Sequence, residues 1–310
     1  MSDTTLISAA ALQAALTDSV NTDTAATAHP AWVLLDCSFD LADTAAGQRA
    51  HAEGHLPGAH YAHLDHHLSG LKSGSNGRHP LPTREAWAAT VAGWGIRPGV
   101  QVVVYDSQGM PFAARAWWLL RWLGHREVAV LDGGKAAWVA AGGALQSLAP
   151  AQHTASASAP GPAPAPYPEQ PVAMATITAD ELQSQLAAIA AGALRLFDAR
   201  PAERFHGQVE PLDAVAGHIP GATLRCFKDN LQPDARFKTA DQLRAEFLAL
   251  GADPLASGHT TLHQCGSGVT ACHNLLAMAH AGLGEGVLYP GSWSEWSSQA
   301  ARPMVRGDGK

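Results

Sequence analysis

A constant internal offset constrains the fold of this chain more than any other feature. Trp32-Val-Leu-Leu-Asp36 returns as Leu194-Arg-Leu-Phe-Asp198, and His55-Leu-Pro-Gly-Ala59 returns as His218-Ile-Pro-Gly-Ala222. Val102-Val-Val-Tyr-Asp106 aligns with Thr261-Leu-His-Gln-Cys265, and Val130-Leu-Asp-Gly-Gly134 with Leu288-Tyr-Pro-Gly-Ser292. All four pairs are displaced by about 160 residues. Solenoid repeats have periods of only roughly 20–50 residues, so the duplicated object is a whole domain. The length, 310 residues, accommodates two domains of ordinary size.

Each copy alternates short strands with amphipathic helices. Val102–Tyr105 is a β-branched run of the kind buried in a parallel sheet. Thr178-x-x-Glu181 and Thr239-x-x-Gln242 are capping boxes that predict helix starts, and Gly251 predicts the end of the second helix. Ala113–Leu123 predicts a buried helix, with Trp117, Trp118 and Trp122 at helical spacing as core rather than a stacking platform. Alternation of this kind implies an α/β fold with helices on both faces of a sheet. The prolines from Ala149 to Pro171 disfavour helix and central strand alike and predict an extended linker.

Composition narrows the function. With 20 basic and 27 acidic residues, the chain has no electrostatic footprint for nucleic acid or an anionic membrane. No apolar run reaches ~18 residues, so no membrane span is expected. Met1-Ser-Asp-Thr-Thr carries an acid and no base, unlike a signal peptide. Four cysteines do not make a disulfide framework in a chain of this size. A cytoplasmic setting with free thiols is the expectation. The histidines His60, His63, His66 and His67 have no second close-spaced cluster to complete a metal site, so neither metal nor cofactor is expected. No phosphate-binding or dinucleotide fingerprint occurs.

The motif that carries chemistry is Cys265-Gly-Ser-Gly-Val-Thr270, between an apolar strand and an apolar helix, Ala271–Ala279. Ligands bind at the carboxyl ends of parallel strands. Gly266 and Gly268 let the loop curl so that successive N–H groups point inward, and these with the following helix N-terminus stabilise an anion. A cysteine held there is expected as a thiolate, the form required of a sulfur nucleophile. The first copy has Asp106-Ser-Gln-Gly-Met-Pro111 at the same place, with no thiol. A Cys-x5-Arg phosphatase loop is excluded because the sixth residue after Cys265 is Ala271. Cys37, Cys226 and Cys272 are expected as small apolar side chains rather than redox partners.

The duplication, the His-x-Pro-Gly-Ala landmarks and the Cys265–Thr270 loop resemble the tandem-rhodanese sulfurtransferases, and the loop resembles most closely the 3-mercaptopyruvate-using members. The resemblance implies two tandem rhodanese-like domains, each a central parallel sheet flanked by helices. The N-terminal, non-catalytic domain is placed at residues 1–146, the linker at 147–172 and the catalytic domain at 173–310. It implies that a sulfane sulfur moves from 3-mercaptopyruvate through a Cys265 persulfide to a thiol such as thioredoxin or glutathione, or to cyanide, releasing pyruvate. Ser267, Asp65 and His79 are the implied catalytic partners of Cys265. Arg204, Gly266, Gly268, Val269 and Thr270 are the implied substrate-binding residues. Several relatives carry a second arginine after a Glu-Pro pair. Here Glu210-Pro211 is followed by Leu212, which leaves Arg200 and Arg225 as the alternatives. Thiosulfate-using members have Arg-Lys where this chain has Gly266-Ser267. A loop without those cations forfeits attraction for a dianion, which favours mercaptopyruvate as the donor. A thiosulfate:cyanide sulfurtransferase and a non-catalytic persulfide carrier are the competing readings.

Overall fold

A computed structural model of the chain describes residues 4–22, 31–148, 165–252 and 261–307. It divides into two compact units, residues 1–68 with 82–171, and residues 69–81 with 172–310.

The first unit holds a five-stranded sheet in the order β1-β5-β4-β2-β3, with every described pairing parallel. Its strands are β1 (Leu6–Ile7), β2 (Trp32–Asp36), β3 (His60–Tyr61), β4 (Gln101–Tyr105) and β5 (Val128–Leu131). All five residues of the central β4 are buried, as an apolar run in a doubly covered parallel sheet must be. The predicted buried helix spans Pro111–Leu123, with Trp117 and Trp118 fully buried. Trp122 is half-buried and stacks on Trp118 at 5.9 Å. Leu34, Val103, Tyr105, Leu131 and Trp138 fill one face of the sheet.

The second unit repeats this topology. Its sheet runs β7-β6-β8-β9, with β6 (Arg195–Asp198), β7 (Thr223–Leu224), β8 (Thr261–Gln264) and β9 (Val287–Leu288). Each strand is the repeat partner of β2, β3, β4 and β5 in turn, and the order is the same. A single parallel bridge from Thr176 to Leu288 stands where β1 pairs with β5 in the first unit. Both predicted capping boxes form, at Thr178 with Glu181 and Thr239 with Gln242. Gly251 follows the helix Ala240–Ala249 with φ +83°, its N–H bonded to the Leu248 carbonyl. Leu182, Leu196, Leu262, Tyr289, Trp293 and Trp296 form the core beneath this sheet.

Two segments depart from the boundaries expected from sequence. Ser69–Leu81, expected in the N-terminal domain, belongs to the second unit. Gly70 N–H bonds the Pro80 carbonyl at its base, and Arg78 N–H donates to Ser294 Oγ at 3.1 Å. The last residues of the expected linker belong to the first unit: Tyr167 is buried, with its hydroxyl 3.0 Å from His125 Nδ1. The rest of the predicted linker, 149–164, lies outside the described residues. No helix among the described residues is long and apolar enough to cross a membrane.

Candidate active site

Strand β8 delivers Cys265 at its carboxyl end, and the helix Thr270–His280 follows the loop. The neighbouring turn and short helix, Ser292–Trp296, fix the loop peptide by peptide. Cys265 N–H donates to Ser292 Oγ at 3.1 Å, and the Ser292 hydroxyl donates to the Tyr289 carbonyl at 2.9 Å. The carbonyls of Cys265 and Gly266 accept from Trp293 and Ser294 N–H, each at 3.0 Å. A trans peptide points its C=O and N–H in opposite directions. With both carbonyls turned to the Ser292–Trp296 helix, the N–H groups of Gly266 and Ser267 face the other side of the loop.

The two loop glycines have different grounds: the backbone requires glycine at Gly268, whereas Gly266 leaves room for neighbouring side chains. Gly268 has φ +76°, and a Cβ there would lie 2.4 Å from the Pro290 carbonyl oxygen. A Cβ on Gly266 would lie 2.8 Å from Arg78 Nη2 and 3.2 Å from Arg204 Nη1. Two guanidinium groups therefore overhang the peptide that follows the cysteine. The loop's own side chains are neutral, as the sequence shows, but cations from two other segments stand over it.

Those cations carry their own counter-ions. Arg204 grips Glu210 through Nε (3.1 Å) and Nη2 (2.6 Å), and its Nη2 also reaches Asp213 Oδ2 at 3.2 Å. Arg78 Nη1 donates to the other oxygen of the same carboxylate, Asp213 Oδ1. Asp213 thus bridges the two guanidiniums. Glu210 is anchored further by N–H bonds from Leu212 (3.1 Å) and Asp213 (3.2 Å).

Arg200 and Arg225, the two alternatives to an arginine at Leu212, are held by other carboxylates, although Arg200 Nη1 also lies 3.5 Å from Glu210. Arg200 is bound through Nε (3.1 Å) and Nη2 (2.7 Å) to Asp198 and lies over Trp293 at 4.9 Å. Burial opposes its charge, but Asp198, Glu210 and the nearby Cys265 together outweigh burial, so its pKa is raised. Arg225 holds Asn230 and Glu246. The second arginine at the loop is Arg78, which sequence reasoning missed. The available signal was its position immediately before His79, a residue the resemblance had already placed in the site.

Within the second unit, the structure brings together Cys265, Ser267, His79 and Arg204. His79 Nδ1 lies 2.8 Å from Ser267 Oγ, and both side chains are buried. Cys265 is 1 % exposed. Val269 precedes the helix as its N-cap, and Thr270 is its first residue. Asp65 belongs to the first unit, where its N–H donates to His63 Nδ1 at 3.1 Å. Of the other thiols, Cys37 and Cys272 are buried as expected, and Cys226 is half-buried. Burial, with the Asp106 and Asp36 carboxylates, pushes the Cys37 thiol well up, and burial raises that of Cys226. Among the described residues no cluster of His, Cys, Asp or Glu has metal-binding geometry.

The first unit shows what the same loop does without a thiol. Asp106 is fully buried, and its carboxylate accepts N–H bonds from Gln108 (2.9 Å), Met110 (2.8 Å), Phe112 (3.0 Å) and Ala113 (3.0 Å). The loop is an anion cradle closed on its own side chain.

Comparison with known proteins agrees with this geometry. The family model described as rhodanese-like domain matches residues 22–141 and 178–299, one match in each copy. The chain is 46% identical over 290 residues to the Pseudomonas aeruginosa protein named "Probable 3-mercaptopyruvate sulfurtransferase", covering 90% of this chain and 94% of that one. It is 33% identical over 261 residues to the Escherichia coli 3-mercaptopyruvate sulfurtransferase, covering 81% and 83% respectively. Among solved structures it is similar to the 3-mercaptopyruvate sulfurtransferase from Leishmania major, with a TM-score of 0.76 and 28% identity over 97% of this chain and 76% of that chain.

Proposed function

The chain belongs to the rhodanese family, and we propose that it is a 3-mercaptopyruvate sulfurtransferase in which Cys265 carries the transferred sulfur. The observation that carries this reading is the Cys265–Thr270 loop. It holds a buried cysteine at a strand end, a serine bonded to a buried histidine, and a glycine overhung by two guanidiniums.

The Cys265 thiolate attacks the thiol sulfur of mercaptopyruvate. The new S–S bond forms as the C–S bond breaks, and its electron pair leaves as the enolate of pyruvate. The enolate takes a proton and departs as pyruvate, while Cys265 keeps the sulfur as a persulfide. An acceptor thiolate then attacks the outer sulfur and restores the Cys265 thiolate. Thioredoxin, glutathione or another small thiol serves as acceptor, and cyanide is converted to thiocyanate.

The loop N–H groups on the side away from the Ser292–Trp296 helix, with the N-terminus of the Thr270–His280 helix, stabilise the anionic sulfur. Gly266, Gly268, Val269 and Thr270 supply this backbone. Arg204 holds the donor carboxylate with a guanidinium fork. Ser267 and His79 deliver the proton that the leaving enolate requires, and Asp65 assists that pair. In this reading residues 1–146 are structural, 147–172 connect, and 173–310 carry the chemistry, with Ser69–Leu81 lending His79. A cytoplasmic setting keeps the thiols reduced.

The test is pyruvate release from mercaptopyruvate with a thiol acceptor. Wild type turns over, and Cys265→Ser, close in size, folds but releases none. Turnover on thiosulfate with negligible use of mercaptopyruvate indicates the thiosulfate:cyanide enzyme. Sulfur loading without turnover on either donor indicates a carrier.

A further inference from the structure

We propose that Arg78 and Asp213 set the choice of sulfur donor: Arg78 is the second anion-binding arginine of the site, and Asp213 is an internal counter-ion that limits the site to donors of single negative charge. This rests on the sulfurtransferase reading above.

The geometry has three parts. First, Arg78 presents one nitrogen and Arg204 two to Gly266, the residue after the nucleophile, so an anion bound against this peptide meets both side chains. Second, the Asp213 carboxylate spans the same two guanidiniums through its two oxygens, as an external carboxylate would. Its side chain is 7 % exposed, whereas Arg78 retains 27 %, so Arg78 is within reach of a solute and its counter-ion is fixed behind it. Third, Arg78, Arg204 and Arg200 carry three positive charges, and Glu210, Asp213 and Asp198 carry three negative ones, so the connected cluster sums to zero. A mononegative donor gains the directed N–H bonds of two guanidiniums without needing a net field. A dianion gains the same bonds but loses more from the missing net charge and from the thiolate it must approach.

Glu210 and Asp213 differ in role. Glu210 accepts from two backbone N–H groups as well as from Arg204, so it is built into the turn. Asp213 contacts the guanidiniums alone among the side-chain bonds it accepts. Asp213→Asn therefore removes the charge and keeps the shape.

Electrostatic work on a bound anion scales with its charge, so the factor for a dianion is the square of that for a monoanion. The experiment compares kcat/KM for mercaptopyruvate and thiosulfate in wild type, Asp213→Asn and Arg78→Gln, at fixed ionic strength and with a common acceptor. Asp213→Asn is expected to improve mercaptopyruvate use by about 5-fold and thiosulfate use by about 25-fold. Arg78→Gln, at a partly exposed position, is expected to move both the other way, with thiosulfate losing the larger factor. Equal losses on both donors in Asp213→Asn, or an unchanged donor ratio in Arg78→Gln, overturn the proposal and leave the two residues a structural ion pair. Failure of the underlying sulfurtransferase reading looks different, because wild type itself then releases no pyruvate.

Discussion

Gly266 is the residue on which the site turns. Its missing side chain lets Arg78 Nη2 and Arg204 Nη1 close over the peptide next to Cys265. A methyl group placed there meets the ends of two flexible side chains rather than backbone, so the fold tolerates it and the arginines shift outward. Gly266→Ala is expected to raise KM for mercaptopyruvate about 3- to 5-fold with kcat little changed, measured by steady-state kinetics. Stability of the variant should match wild type by urea unfolding. At the same scale, the sequence made the shared placement of Cys265, Ser267 and Arg204 legible, because each lies in a short contiguous motif or at a single matched position. Arg78 was not legible in that way. Its approach to Gly266 joins residues nearly two hundred positions apart, and no local pattern encodes such a contact. The absence of an arginine at Leu212 was visible, and it left Arg200 and Arg225 as the alternatives. Each is consumed by a carboxylate or amide that the sequence does not pair with it in advance.

Two loops built alike have diverged in what fills them. After β4, the Asp106 carboxylate gathers four N–H bonds and is buried; after β8, a cysteine occupies the equivalent place. Burial raises the Asp106 pKa even though those N–H bonds pull against it. The loop and the start of the Pro111–Leu123 helix depend on this carboxylate for acceptors. Asp106→Ala leaves the buried N–H groups of Met110, Phe112 and Ala113 without their acceptor and is expected to cost about 3 kcal/mol of stability, read from the urea midpoint, while the Cys265 loop keeps its own bonds. The elements themselves were largely legible. Both capping boxes form as predicted, and the predicted helix at 113–123 starts two residues earlier, with Pro111 at a position where its missing N–H costs nothing. The shift of Ser69–Leu81 into the second unit was not legible. Its holding contacts, such as Arg78 N–H to Ser294, are long-range backbone and side-chain bonds without a periodic signature.

At the scale of the whole chain, the offset of about 160 residues correctly anticipated two sheets with one strand order. Stability is a property of this scale, and it carries a pH signature from the second sheet. His263 on β8 is fully buried, and burial pushes its pKa down to about 3. The folded chain therefore holds this imidazole neutral, while the unfolded chain protonates it near 6.5. Its contribution is intact above about pH 6.5 and is lost progressively as pH falls toward the folded value. Between pH 7 and pH 5 that loss amounts to about 2 kcal/mol. His263→Leu should remove this part of the acid sensitivity, so the difference in unfolding free energy between the two pH values should shrink relative to wild type. An unchanged difference means that His263 is accessible to protons in the folded chain.

The sulfur carried by Cys265 is tested most directly by intact-protein mass spectrometry after exposure to mercaptopyruvate without acceptor. Wild type should gain the mass of one sulfur atom, located at Cys265, and should lose it on adding a thiol or cyanide; Cys265→Ser should gain nothing. Pyruvate release from a protein that never carries the added sulfur, or sulfur loading that persists in Cys265→Ser, would contradict a persulfide at this residue.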